Sequence, residues 1–332
     1  MSRVPRTRAA ALLAVAAALW PSPARAQDYD PDDMATFSII ARDPRTGELG
    51  MAVQSKAFAG GNRAMTIRGG VAVIAHQASA NPMYGAIGLE LLGAGMAPEQ
   101  ALAMMVRSDE GRDRRQVAIL DAQGRTAAFT GSGTSDWKGH RCGENYCAQG
   151  NILTGPEVVQ AMTASFESSS GALADRLLAA LDAAQEAGGD ARGMQCAALV
   201  VARPLAGSGG FSDRVVDLRV DDHDAPLVEI RRLYDMYRSG QTIVEANRHL
   251  AEGRPAEAAA AAERAARLSP ENDNAWMALA HIHLRAGRRI AALDALRKAV
   301  ALNPAARRQL PRNPNFEPLR GDPEFKRLIG QP

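Results

Sequence analysis

Thr36-Phe-Ser-Ile-Ile-Ala-Arg-Asp-Pro-Arg-Thr-Gly-Glu-Leu-Gly-Met-Ala-Val-Gln-Ser55 is the stretch whose reading decides the fold. Its first seven residues, Thr36 to Arg42, are dominated by aromatic and β-branched side chains that suit a pleated, half-buried surface. Asp43-Pro-Arg-Thr-Gly47 is turn punctuation, and Leu49 to Ser55 resumes the strand pattern. The segment is therefore predicted to be a hairpin. Reading outward, Gly69 to Ala75 is a nearly continuous apolar run, as expected of a strand buried on both faces. Apolar residues spaced three and four apart predict helices over 84–92 and 98–106, the second opening on Pro98. A second hairpin, 116–121 with 126–130, turns at Gln123-Gly124. Helices follow over 156–167 and 172–186, then strands over 195–201 and 215–220, then a helix over 227–237. Strands, two helices, strands, two helices and strands show no regular βαβ alternation. The order predicts an α+β body, not a doubly wound parallel sheet.

Residues 239–304 repeat with a period of 34: Gly253 recurs at Gly287, Ala258 at Ala292, Ala265 at Ala299 and Pro270 at Pro304. Trp276 and Leu279 occupy positions where the first helix of such a unit packs. The pattern resembles the tetratricopeptide repeat, a helical hairpin with small residues at the helix contacts. Two repeats need caps; 227–237 is suited to the start and Phe325-Lys-Arg-Leu-Ile329 to the end. His281 and His283, two apart on this helix, read as repeat-surface residues.

The chain has 332 residues, with 46 % hydrophobic and 23 % charged, an ordinary composition for a folded protein. A net charge of +2 gives no argument for nucleic acid as a partner. Residues 1–26 hold four Arg and no acid, and 239–332 hold 15 Lys plus Arg against 10 Asp plus Glu. An acidic body therefore carries a basic tail. Arg3, Arg6 and Arg8, then an apolar run from Ala9 to Trp20, then Ala24-Arg25-Ala26 form the pattern of a cleaved export signal. Signal peptidase is expected to cut before Gln27, giving a periplasmic or secreted protein, and no later stretch is apolar enough to predict a membrane span. An exported chain meets an oxidising compartment, so Cys142 and Cys147, flanking a turn-like stretch, are expected to pair and leave Cys196 free. Adding His140 to those two thiols still falls short of a four-ligand zinc site. No metal and no cofactor is expected. The organisation reads as signal peptide 1–26, leader 27–35, body 36–238 and helical repeats 239–332.

Within the body, several segments together resemble a bacterial and archaeal family, DUF1028. They are Ala35-Thr-Phe-Ser-Ile-Ile-Ala-Arg-Asp-Pro-Arg-Thr-Gly47, Gly50-Met-Ala-Val-Gln-Ser55, Gln77 with Asn81-Pro-Met-Tyr-Gly85, and Gly88-Leu-Glu-Leu-Leu92. Trp137-Lys-Gly-His140, Gln149-Gly-Asn-Ile-Leu153, Gly155-Pro-Glu-Val158 and Gly189-Asp-Ala-Arg-Gly193 continue it, so that it covers roughly 36–235. The resemblance implies the N-terminal-nucleophile (Ntn) hydrolase fold, an αββα sandwich. Some members carry C-terminal modules thought to bind peptidoglycan; here the helical repeats take that place.

The resemblance implies a nucleophile at the head of the first strand, and Thr36 stands there. A Thr hydroxyl needs a base, and an α-amine serves only if Thr36 is the first residue of the mature chain. Removal of 27–35 by a second cut, after Ala35, is thus expected. Val53-Gln-Ser-Lys-Ala57 is similar to the end of the first hairpin in proteasome-type members, with Gln54 where those carry Asp. Gln77, Asn81 and Asn151 are suited to oxyanion donation, and Ser55 and Arg192 to positioning substrate. Each also has a structural reading: Asn81-Pro82 as a turn, Asn151 as a loop residue, Gln77 as a strand end, and Asp190 with Arg192 as an ion pair at a helix terminus. The expected activity is hydrolysis of a small amide or cell-wall-derived peptide. The alternative is a non-catalytic scaffold that binds a ligand in the body and a protein through the repeats. A homo-oligomer is compatible with either.

Overall fold

The computed structural model describes residues 33, 34 and 36–331. The expected signal peptide lies outside the described residues, as does most of the leader. In chain order the first elements are β1 (Asp33–Met34), β2 (Thr36–Arg42), β3 (Leu49–Ser55), α1 (Gly60–Arg63), β4 (Met65–Arg68), β5 (Ala72–Ser79), α2 (Met83–Gly93) and α3 (Pro98–Ser108). Then come β6 (Arg115–Asp121), β7 (Thr126–Thr130), β8 (Gly139–Gly143), β9 (Tyr146–Asn151), α4 (Glu157–Ser168), α5 (Leu173–Glu186), β10 (Cys196–Ala202) and β11 (Arg214–Val220). The last are α6 (Pro226–Ala251), α7 (Pro255–Leu268), α8 (Asp273–Arg285), α9 (Arg289–Leu302), α10 (Ala306–Gln309) and α11 (Pro323–Ile329).

The strands form two antiparallel sheets. One has the order β1-β5-β6-β7 with β4 also on β5; the other runs β11-β10-β3-β2-β9-β8. The period of two in each strand sorts side chains into three apolar layers. Ile40, Met51, Val53, Val73, Ala118 and Val200 meet between the sheets. Ile74, Val117 and Ile119 turn outward against Tyr84, Leu89 and Leu102 of α2 and α3. Phe37, Ile39 and Leu199 turn the other way, against Met162, Phe166, Leu177 and Leu181 of α4 and α5. The body is thus helices, sheet, sheet, helices. Close approach is secured by small residues: a Cβ on Gly50 of β3 would stand 2.7 Å from Leu177 Cδ1 of α5.

Several sequence readings are corrected. Asp33–Met34, read as loose leader, pairs as a short strand with Ser79 and Ala78 of β5. Of the apolar run from Gly69 to Ala75, residues 69–71 are the turn joining β4 to β5, with Gly70 at φ +77, and the predicted buried strand begins at Ala72. Gln77 lies inside β5, and Asn151 is the last residue of β9, not a loop residue. The helix predicted over 227–237 continues to Ala251 as one 26-residue helix. The division drawn after residue 238 therefore falls within α6. Along it the packing partner changes. Leu227, Ile230 and Tyr234 belong to the body core and Ala246 to the core of the repeats. Ser239 is fully buried and its hydroxyl donates to the Ala265 carbonyl of α7 at 2.8 Å.

The repeats are stacked helices whose contacts are alanines: Ala258, Ala265, Ala292 and Ala299 are all fully buried. Gly253 and Gly287 both take φ +71 just past α6 and α8, a left-handed conformation that glycine adopts without strain. His283 is 8 % exposed, so it is an interior residue and not the surface residue its spacing suggested. Phe325 of α11 is buried in the same core and closes the stack. In the body, Cys142 and Cys147 are joined by a disulfide across the β8–β9 hairpin, and Cys196 is free and buried.

Two outcomes follow. Ala292→Leu should overpack the α8–α9 contact and destabilise the helical part by about 1–3 kcal/mol in denaturant unfolding. The second concerns His76, whose Nε2 lies 3.0 Å from Thr66 Oγ1 and whose burial lowers its pKa from 6.5 to about 4. The unfolded chain therefore takes up this proton first as pH falls. Stability contributed by neutral His76 is present above pH 6.5 and is lost between there and about pH 4. The stability difference between the protein and His76→Gln should shrink as pH falls through that window; a constant difference refutes it.

Candidate functional site

Strand register builds the site. Thr36 pairs with Ser55 on one side and Asn151 on the other, and Ser55 pairs in turn with Cys196. Paired residues share a face, so Cys196, Ser55, Thr36 and Asn151 form one row across four strands, aimed at the other sheet. In that sheet Gln77 pairs with Gln116, and Gln116 with Thr130. Two polar rows thus confront each other in an otherwise apolar layer. Thr36, Ser55 and Gln116 are fully buried, and Gln77 and Asn151 are 1 % exposed.

Hydrogen bonding within this cluster has a direction. Gln116 Nε2 donates towards the carbonyls of Gly150 (2.8 Å) and Gly139 (3.1 Å) and towards Thr130 Oγ1 (3.0 Å). Carbonyls only accept, which fixes the nitrogen end of the Gln116 amide. Its oxygen then accepts from Gln77 Nε2 at 2.8 Å and Asn151 Nδ2 at 3.0 Å. Gln77 Nε2 also donates to the Thr36 carbonyl at 3.0 Å, and Gln77 Oε1 accepts from Ser38 Oγ at 2.6 Å. Thr36 Oγ1 donates to Ser55 Oγ at 3.1 Å. Thr130 Oγ1 lies 2.9 Å from His140 Nδ1, whose partial burial lowers its pKa and favours the neutral ring. Asn151 Oδ1 and both amide atoms of Gln149 are buried without a hydrogen-bond partner among the described residues.

The sequence-derived residues Thr36, Ser55, Gln77 and Asn151 therefore come together. Asn81 does not join them. It stands before α2, donating to Asp109 Oδ2 at 3.3 Å and accepting from the Met83 N–H at 3.1 Å. Arg192 bonds Asp190 through its guanidinium, and Asp190 also accepts the Lys56 N–H at 3.0 Å. That pair lies beside the bridge from Leu153 to Asp190, not at a helix terminus. Gln116, Ser38 and Thr130 were not singled out from sequence. The signal was present: period two puts Gln116 on the face of Ala118 and Leu120, a polar residue at an inward position. Cys196 sits next to Ser55. Burial pushes its thiol pKa up, against backbone N–H groups of Gly60, Gly61, Ser55 and Ala57 that favour the thiolate. The net effect favours the protonated thiol. No group of three or more His, Cys, Asp or Glu suited to a metal occurs among the described residues.

The model of a family of unknown function, DUF1028, matches residues 36–230, and a tetratricopeptide-repeat model matches 249–310. The chain belongs to the DUF1028 family and carries tetratricopeptide-like repeats after it. A crystal structure of a DUF1028 protein from Silicibacter pomeroyi is similar at 36 % identity and a TM-score of 0.56, covering 60 % of this chain and 84 % of that one. No functionally curated protein matches the chain. No helix among the described residues is long and apolar enough to cross a membrane.

Gln116→Leu removes the acceptor of two buried amides and should destabilise the body by roughly 1–3 kcal/mol for each donor left unpaired. Gln149→Leu, at an amide with no partner to lose, should be neutral or stabilising. Equal losses for the two, read by urea unfolding, would refute the assignment of Gln116 as the hub.

Proposed function

We propose that the body is an exported amide hydrolase of the N-terminal-nucleophile kind, acting on a small amide or a cell-wall-derived peptide. Thr36 is the nucleophile. The observation that carries this reading is the Thr36 hydroxyl at the head of β2, hydrogen-bonded to Ser55 and ringed by buried carboxamides. Thr36 is fully buried and follows another residue in the chain, so the reading requires a cut before it. The chain passes from one sheet to the other there: Met34 pairs in the first sheet and Thr36 in the second. Once freed, the Thr36 α-amine, with an ordinary pKa near 8, takes the Oγ1 proton. Oγ1 attacks the substrate carbonyl, the leaving amine receives the proton, and water hydrolyses the resulting ester.

Hydrogen-bond directions assign different tasks to the two amides. Both Gln77 hydrogens are committed, to the Thr36 carbonyl and to Gln116, so Gln77 positions the strand head. Asn151 commits one hydrogen to Gln116 and keeps the second for an oxyanion. Export is part of the proposal. It rests on the charged, apolar and small-residue pattern of 1–26, and the Cys142–Cys147 disulfide suits the same compartment. The repeats, of a type compatible with protein interaction, serve to dock a partner beside the hydrolase.

N-terminal sequencing of the exported protein should return Thr36 as first residue, whereas Thr36→Ala should retain Gln27. Asn151→Ala should leave the cut intact and lower turnover of the amide substrate about 10²–10³-fold. A mature wild-type protein that keeps Gln27 sinks the α-amine mechanism.

A further inference from the structure

A second site lies outside the polar cluster, on the outer helical layer. Between α2 and α3 is a cavity of about 300 Å³, at the small end of the range for ligand pockets. Its walls are thioether and alkyl: Met83, Ile87 and Met104 are 54 %, 42 % and 44 % exposed there, and Met105 closes the base. The polar end holds Tyr84 and two carboxylates, Asp109 and Glu110. Tyr84 is only 2 % exposed and lines the cavity, and its buried hydroxyl makes no hydrogen bond of ordinary geometry. It lies close enough to Asp109 to feel its charge, which together with burial raises its pKa, so the hydroxyl stays protonated. The Asp109 oxygens that act on this hydroxyl already serve other donors. They accept from Arg115 Nε (2.9 Å), Asn81 Nδ2 (3.3 Å) and the Gly111 N–H (2.9 Å).

A buried hydroxyl without a well-formed hydrogen bond is costly, and this one belongs to a residue in the wall of an otherwise apolar cavity. A ligand that fills the walls and brings a polar head to Tyr84 removes that cost. Charge selects the head. Asp109 is neutralised by Arg115 behind the wall, and exposed Arg112 leans on the Asp109 carbonyl at 3.3 Å. Glu110 has no ion-pair partner among the described residues and stands at the rim. The cavity lining carries no Lys or Arg. We infer that the α2–α3 cavity binds a small amphipathic amine, its apolar body between Met83, Ile87 and Met104 and its ammonium between Tyr84 and Glu110. This site is independent of hydrolysis at Thr36. It also gives a role to the Asn81-Pro-Met-Tyr-Gly85 motif, which the polar cluster does not use.

The test is a titration of the intact protein carrying ¹³C-methyl methionine, with resonances assigned by Met→Leu substitution. The probes are 2-phenylethylamine, 2-phenylethanol and 3-phenylpropionate. The amine should shift the Met83, Met104 and Met105 signals saturably and bind at least ~10-fold more tightly than the alcohol or the acid. Glu110→Gln, at an exposed position, should erase most of that advantage without changing alcohol binding. Tyr84→Phe should weaken both amine and alcohol several-fold. Absence of a saturable shift overturns the inference. So does an alcohol that binds as well as the amine, which would make the cavity an apolar groove only. So does an amine affinity unchanged in Glu110→Gln, which stays informative even if Tyr84→Phe fails to fold.

Discussion

The side chain of Gln116 holds the body in one arrangement. It rises from β6 in one sheet and reaches backbone carbonyls of β8 and β9 in the other. Two hydrogens serve three acceptors on its nitrogen, and two donors converge on its oxygen. Apolar side chains between sheets can slide past one another at small cost, because dispersion contacts are non-directional. A buried amide cannot, since every unmade bond leaves a desolvated group. The sheets are therefore locked in the register that satisfies Gln116. That same register sets Gln77 against Thr36, and Asn151 within reach of both.

The direction of this network has chemical consequences. Because carbonyls orient Gln116, Gln77 must present its nitrogen to Gln116 and its oxygen to Ser38. No charged side chain takes part, so the interior holds a neutral polar surface whose hydrogen-bonding pattern does not depend on pH near neutrality. Buried amide atoms of Gln149 and Asn151 remain unpartnered on its margin. Such an environment favours neutral polar groups over ions, which would need a counter-charge.

Helix α6 joins this body to the repeats without a flexible link. Its first half packs Leu227, Ile230 and Tyr234 on the body, and Arg238 reaches Asp175 of α5 at 3.5 Å. From Ser239 it packs on α7. The repeats hold together through close helix approach, with alanines where larger side chains would force the helices apart.

Local pattern alone determined much of this protein. The hairpins at 36–55 and 116–130 and the two pairs of helices in the body follow from periods of two and 3.6 within short windows, and the repeat from a period of 34 between two units. Thr36 and Ser55 were legible because the hairpin they belong to dictates that its ends meet. Tertiary structure decided what no window holds. Gln116 is an ordinary strand residue until the other sheet supplies three of its five partners, Gly139, Gly150 and Asn151. Asn81 pairs with Asp109 because α2 and α3 fold back on each other, not because of its neighbours in sequence. Helix α6 runs through the compositional boundary because both cores bury its faces, and a helix ends only where packing and capping stop supporting it. His283 became interior by stacking of the next helices. In each case, spacing along the chain specified which face a side chain took, and only the packing of distant elements specified what that face would meet.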